Sequence, residues 1–156
     1  MIKRFAFDTS ALISLGHTKA INEINNLFLI TTSSGVIAEL KNISKADDAD
    51  GNAAKEWLKK SKSWEIINVK REKHAEDEVF SICKKKNLLL VTDDIKAIKR
   101  FDDEIDCFYS VHIIYSLYKK EVITKELALV SIEKMRQDRS WGNNIIYVTS
   151  QSLFGE

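Results

Sequence analysis

Short apolar runs alternate with helical patterns along most of this chain, and that order limits it to few architectures. Phe5-Ala6-Phe7, with Ile2 before it, reads as a strand, followed by cap residues and a helix starting over Ala11 to Leu15. Leu27 to Thr31 reads as a second strand, and Ser33 or Ser34 caps a helix whose Val36, Ile37, Leu40 and Ile43 share one face. KADDADGN, residues 45–52, reads as a loop, and Ala53 to Lys62 as a helix with Trp57 and Leu58 inward. Trp64 to Val69 and Leu88 to Thr92 read as strands, with helices expected over His74 to Lys86 and Ile95 to Phe101. Ile105 to Tyr109 is expected as a last short strand, followed by helices over Val111 to Lys119 and Lys125 to Arg136. The tail IIYVTSQSLF fits strand or helix equally. Strand–helix alternation implies crossovers between parallel strands, hence an α/β fold whose central parallel sheet has helices on both faces. In such a sheet, functional groups gather beyond the carboxyl ends of the strands.

Those ends carry acids. Asp8 follows the first strand, and Asp93 and Asp94 follow the strand LLLVT. An aspartate there is a good helix cap, worth about 1 kcal/mol. Only one of the adjacent pair can hold that position, so the second calls for another reason. Clustered carboxylates repel one another unless a cation is present, and their oxygens suit hard ions such as Mg²⁺ or Mn²⁺. In HAEDEVFSICKKK, the residues Ala75, Val79, Ile82 and Cys83 define an inward stripe. Glu76 lies about 60° from its centre, Glu78 about 100° and Asp77 about 160°. Glu76 is therefore expected to point towards the sheet and Asp77 towards water. Glu39 lies at the margin of its helix's apolar face, where a lone glutamate is ordinarily solvated.

Other chemistries lack their residues. GxGxxG and GxxxxGK[ST] are absent, so neither a dinucleotide site nor a P-loop has support. A haloacid-dehalogenase-type phosphatase needs an acid two residues after Asp8, where Ser10 stands, and a receiver domain carries its acidic pair after the first strand. His17, His74 and His112 have no zinc spacing. Cys83 and Cys107 lack a CxxC spacing and read as reduced core residues, which fits a cytoplasmic protein.

The length of 156 residues points to a single domain over residues 1–156, and an apolar fraction of 44% beside a charged fraction of 30% argues against disorder. The net charge of +1 announces neither a nucleic-acid nor a membrane partner, and no apolar run has transmembrane length or signal-peptide form. The local basic knots, Lys84 to Lys86 and Lys96, Lys99 and Arg100, read first as solvated helix faces.

FAFDTSALISL, then VIAEL, then AEDEVFSICKKKNLLLVTDDIKAI resembles the PIN-domain ribonucleases, including the VapC-like toxins of type II toxin–antitoxin pairs. The nearest sub-pattern is the branch with a GEAEA-like helix followed by a strand and an acidic pair. The resemblance spans Phe5 to about Arg100. Ala75 departs from it, standing where a glycine is expected, and residues after Phe101 carry no motif. The likeness implies a three-layer α/β/α sandwich and a Mg²⁺- or Mn²⁺-dependent endoribonuclease. It implies Asp8, Glu39, Glu76 and Asp94 as metal-holding catalytic acids, with Thr9 and Ser10 hydroxyls nearby. Asp93 is then the added acid and Glu78 a second acid of the GEAEA-like helix. The choice between Glu76 and Glu78 stays open. Of the adjacent pair, Asp93 is expected to cap the helix or to contact the metal site from outside, and Asp94 to face the metal, with the choice between them open. The implied partners are an RNA substrate, a cognate antitoxin and a second copy of the chain. Lys96, Lys99 and Arg100 are expected to contact phosphates. Tyr115, Leu117 and Tyr118 fit either a dimer interface or the core. The alternative function is a catalytically degenerate PIN fold that binds RNA or protein.

Overall fold

The computed structural model describes residues 4–69 and 75–155, except the side chain of Glu76. Strands β1 (Phe5–Phe7), β2 (Ile30–Ser33), β3 (Glu65–Ile67), β4 (Leu89–Val91) and β5 (Cys107–Phe108) form one sheet in the order β3-β2-β1-β4-β5. Every pairing is parallel, with Ala6 between Thr31 and Leu90. Helices cover both faces, giving the three-layer α/β/α sandwich that the alternation implied.

The connections are helical. Helices α1 (Thr9–Gly16) and α2 (Ile21–Leu27) join β1 to β2, and α3 (Ser34–Ile43) and α4 (Ala49–Lys60) lead to β3. Helix α5 (Ala75–Lys86) precedes β4, α6 (Ile95–Phe101) precedes β5, and α7 (Ser110–Lys119), α8 (Lys125–Asp138) and α9 (Ile145–Phe154) complete the chain. Helix α5 packs on β1, β2 and β4, while α7 packs on α1, α2, α8 and α9. The inner strands read as apolar runs because helices bury both of their sides. Phe7, Ile30, Leu90 and Val91 lie in the core, with Leu12, Leu40, Trp57, Ile82 and Ile114 from the helices. Trp57 is wholly buried and donates its indole N–H to the Leu12 carbonyl, tying α4 to α1. Asn87 ends α5 by turning into the left-handed region at φ 55°, and the Leu88 N–H returns to the Cys83 carbonyl at 3.0 Å.

Several local expectations shift. The second strand starts three residues later than Leu27, because INEINNL forms α2 and Leu27 is its last residue. Residues 49–52 are helical rather than loop. Asp48 accepts from the Gly51 N–H at 2.8 Å and so starts α4 inside the polar run. The ambiguous tail is helix α9, capped by Asn144, whose side chain accepts from Ile146 and Tyr147. Tyr115 and Tyr118 pack their rings on Phe154 of that helix, and Leu117 is wholly buried, so these residues serve the core.

Cys83 and Cys107 are unpaired. Burial pushes their thiols up to about 12 and about 11, so neither is a ready nucleophile. Among the described residues no helix is long and apolar enough to cross a membrane.

Candidate functional site

The sheet order places the site. Going outward from β1, one neighbour is β2 and the other β4, so the chain leaves β1 in one direction and later returns on the other side. Crevices in open α/β sheets form at such a switch point, beyond the carboxyl ends of the strands. Asp8 ends β1 there, and Asp93 and Asp94 follow β4.

Asp8 is 4% exposed. Its Oδ1 accepts from Ser10 Oγ at 2.8 Å and from the Ala11 N–H at 3.0 Å, and its Oδ2 accepts from Thr92 Oγ1. It therefore caps α1, as the cap reading held, and also reaches across to β4. Burial pushes its carboxyl up to about 7, against the hydrogen bonds from Thr92, Ala11 and Ser10, which favour the charged form. The Asp93 charge adds to the rise. Ser10 and Thr92 then stitch the two strand ends together. The Asp93 N–H donates to Ser10 Oγ at 2.9 Å, and the Asp94 N–H donates to Thr92 Oγ1 at 3.1 Å.

The roles within the aspartate pair reverse at the cap. Asp94 is the cap of α6, its Oδ1 accepting from the Lys96 and Ala97 N–H groups at 3.0 and 3.1 Å. Asp93 does not cap that helix. Its two oxygens accept from the Ser110 N–H at 2.8 Å and Ser110 Oγ at 2.6 Å, at the start of α7. The helix begins at Ile95 as expected, and the residue directly before it, Asp94, takes the cap, which leaves Asp93 to reach α7. Burial raises the proton affinity of Asp93, opposed by its bonds from Ser110 and by the charge of Arg139. Replacing Asp94 by Ala should cost about 1 kcal/mol of stability through the lost cap. Urea denaturation checks this, and an unchanged midpoint would refute the capping role.

Glu39 is exposed, yet it lines the same open cleft as Asp8, Thr9 and Ser10. The cleft holds about 240 Å³ and is closed by Asp50 and Arg139. Among the described residues, Thr9 Oγ1 is buried there without a hydrogen-bond partner. On helix α5, Glu78 turns inward although its helical angle puts it about 100° from the centre of the apolar stripe. Glu78 is 4% exposed and lies against the start of α3, where Ser33 Oγ donates to its Oε2 at 3.4 Å. A side chain on Gly35 would collide with that carboxylate. Glu78 thus carries its negative charge to the positive end of the α3 dipole. Gly35→Ala should destabilise the fold by about 1–3 kcal/mol through overpacking. Thermal unfolding checks it, and an undisturbed melting temperature would show that Glu78 moves aside freely. The Glu76 side chain lies outside the described residues, as does His74.

Comparison of the chain with protein-family models and with the sequences of characterised proteins gives no match.

The site is thus read from its own geometry. Its donors are carboxylate and hydroxyl oxygens, the set that hard divalent cations prefer. The orphaned Thr9 hydroxyl and the acids facing one cleft fit such an ion. Among the described residues, no three acids, histidines or cysteines already converge on one point. The expected phosphate contacts are absent from the cleft lining. Lys96 and Lys99 are exposed on α6, and Arg100 pairs with Asp77 at 3.3 Å.

Four contributors escaped the sequence reading as site residues. Thr92 was visible only as a strand end. Ser110, Asp50 and Arg139 come from α7, α4 and the end of α8, far from the acids in sequence, and no local pattern marks them. His17, expected to be ordinary, is a buried tie. Its Nε2 lies 2.7 Å from Asp50 Oδ1 and its Nδ1 lies 3.0 Å from Asp138 Oδ2. His112 is a cap residue whose Nδ1 accepts from the Tyr109 N–H. Burial lowers its proton affinity, so it stays neutral near pH 7.

Proposed function

We propose that this chain is a Mg²⁺- or Mn²⁺-dependent endoribonuclease acting at the Asp8–Glu39 cleft. One observation carries the reading: a buried carboxyl and an exposed one, from β1 and α3, face one open cleft at the switch point of a parallel sheet. The ordered resemblance of FAFDTSALISL, VIAEL and AEDEVFSICKKKNLLLVTDDIKAI to PIN-domain ribonucleases supports the same chemistry.

Asp8 and Glu39 would hold the ion, with the Thr9 hydroxyl beside them and Asp93 near enough to act on Asp8. When bound, a divalent ion lowers the pKa of a coordinated water and stabilises charge on a phosphoryl oxygen. The protein's own contribution is to fix Asp8. Ser10, Thr92 and the Ala11 N–H hold its carboxylate in one orientation, and burial keeps competing water away. Asp94 caps α6 through Oδ1 alone, as Asp8 caps α1, so it stays the proposed acid of the pair, while Asp93 has both oxygens on Ser110. Glu76 stays a proposed ligand from the resemblance alone.

The test is a mixed RNA pool incubated with purified protein. Cleavage with Mg²⁺ or Mn²⁺ that stops on adding EDTA is the expected result. Intact RNA under every metal condition would overturn the reading. A role as the toxin of a type II pair, held by a small antitoxin and acting as a homodimer in the cytoplasm, rests on the resemblance. A short adjacent reading frame with a DNA-binding start would support it.

One observation favours the second reading, a degenerate fold that binds RNA or protein. The aspartates of the set are already engaged by the protein, Asp8 accepting three hydrogen bonds and Asp93 and Asp94 two each. Thermal stability separates the readings. A competent site gains melting temperature with millimolar Mn²⁺, because a ligand of the folded state stabilises it by mass action. A binding module gains none.

A further inference from the structure

An acidic cleft that handles RNA has an electrostatic problem. Asp8, Glu39 and Asp50 present negative charge where a polyanionic strand must approach. Among the described residues, the cleft lining contains one cation, Arg139, at the end of α8. Its position is fixed from behind. Asp138, the preceding residue, sits against His17 Nδ1, and His17 Nε2 contacts Asp50, which pairs with Arg139. The His17 side chain is 2% exposed, so this tie is anchored in the interior.

The Arg139–Asp50 pair is loose. Only Nη1 is used, at 3.5 Å from Oδ1 and 3.4 Å from Oδ2, on a part-exposed surface. Among the described residues, the other guanidinium N–H groups make no hydrogen bond. A pair of this kind contributes about 0–1 kcal/mol. A phosphate offers the planar fork shorter, bidentate, charge-assisted bonds.

We propose that Arg139 is the phosphate-binding residue of this site, gripping a phosphodiester of an RNA strand laid across the Asp8–Glu39 cleft. This rests on the nuclease reading above. Asp50 holds the guanidinium at the rim until the phosphate takes its place. The competing account is that Arg139 only ties the end of α8 to α4.

Binding of a fluorescein-labelled single-stranded oligoribonucleotide is measured by anisotropy in EDTA, over a salt series, alongside melting temperatures. Arg139→Gln should weaken binding about tenfold, as expected for losing hydrogen bonds to a charged group. The slope of log K against log salt should fall by about 0.7, one phosphate contact on a single strand. Arg139→Lys should restore the slope but only part of the affinity, because the fork is gone. Asp50→Asn, which removes the tie and keeps the cation, should retain the wild-type slope. Wild-type affinity and slope in Arg139→Gln, with RNA still bound and cleaved, overturn the inference and leave the nuclease reading intact. Equal losses in Arg139→Gln and Asp50→Asn, tracking melting temperature, show a structural tie and also overturn it. A wild-type protein that neither binds nor cleaves RNA overturns both.

Discussion

Replacing Asp8 by Asn should reduce metal-dependent RNA cleavage by roughly a hundredfold or more. Substituting even an outer partner of a metal ligand costs about 10–100-fold, and Asp8 is proposed as a ligand itself. Asparagine keeps the shape of the side chain and an oxygen to accept from Ser10 and the Ala11 N–H, so the α1 cap survives. Its amide can donate to Thr92 Oγ1, with the hydroxyl turned to accept. What it loses is the charge. The fold should therefore persist while activity disappears, and the stabilisation by millimolar Mn²⁺ should disappear with it. Cleavage assays at matched protein concentration and melting curves with and without Mn²⁺ read the two effects. A variant that cleaves RNA at the wild-type rate would remove Asp8 from the reaction and sink the proposed site.

The same substitution should make the protein more stable at pH 8 than the wild type. Burial raises the Asp8 carboxyl from an ordinary value of 3.8 to about 7 in the folded chain. Between those values the folded state holds a proton that the unfolded state has released, so stability falls as pH rises. The contribution of Asp8 is fully present below about pH 4 and lost by the time pH passes about 7. Asp93 is shifted in the same direction, also by burial, and adds to the trend. Each tenfold change in proton affinity is worth about 1.4 kcal/mol, so Asp8 accounts for roughly 4 kcal/mol over this range. Other carboxylates in ion pairs oppose it, which makes the difference between wild type and Asp8→Asn the informative quantity. Urea denaturation at several pH values should show the variant gaining on the wild type steadily from pH 4 to pH 8. A difference that stays flat would mean that Asp8 is charged across the whole range. Mn²⁺ should narrow the gap at pH 8, because a cation beside the carboxylate offsets the cost of its burial.

The acids also show how far local pattern reaches. Asp8 was legible because a strand end before a helix is a local event, and its cap reading and its site reading turn out to coexist. For Asp93 and Asp94, local pattern showed that one of them must cap. The helix starts at Ile95 as expected, so the cap falls to Asp94 directly before it, while Asp93 bonds to Ser110, seventeen residues on, which no local pattern marks. Glu78 is more buried than its helical angle implied, for a tertiary reason. An angle on an isolated helix ranks residues by distance from the apolar stripe, but it cannot foresee that α3 presents Gly35 and its positive end to that flank. The gap left by a missing side chain, together with the dipole, makes a buried carboxylate tolerable there.

By itself the sequence determined the alternation of strands and helices, and with it the parallel sheet and the acids at its carboxyl edge. These follow from short-range physics: apolar periodicity, capping and the need to cover both faces of a buried strand. Only the tertiary structure decided the order β3-β2-β1-β4-β5, which brings Asp8 beside the end of β4 across more than eighty residues of chain. It alone brought Arg139, Asp50 and His17 to the rim of one cleft. Those neighbours are set by how α4 and α8 pack over α1 and α7, and packing between distant segments leaves no period in the sequence to read.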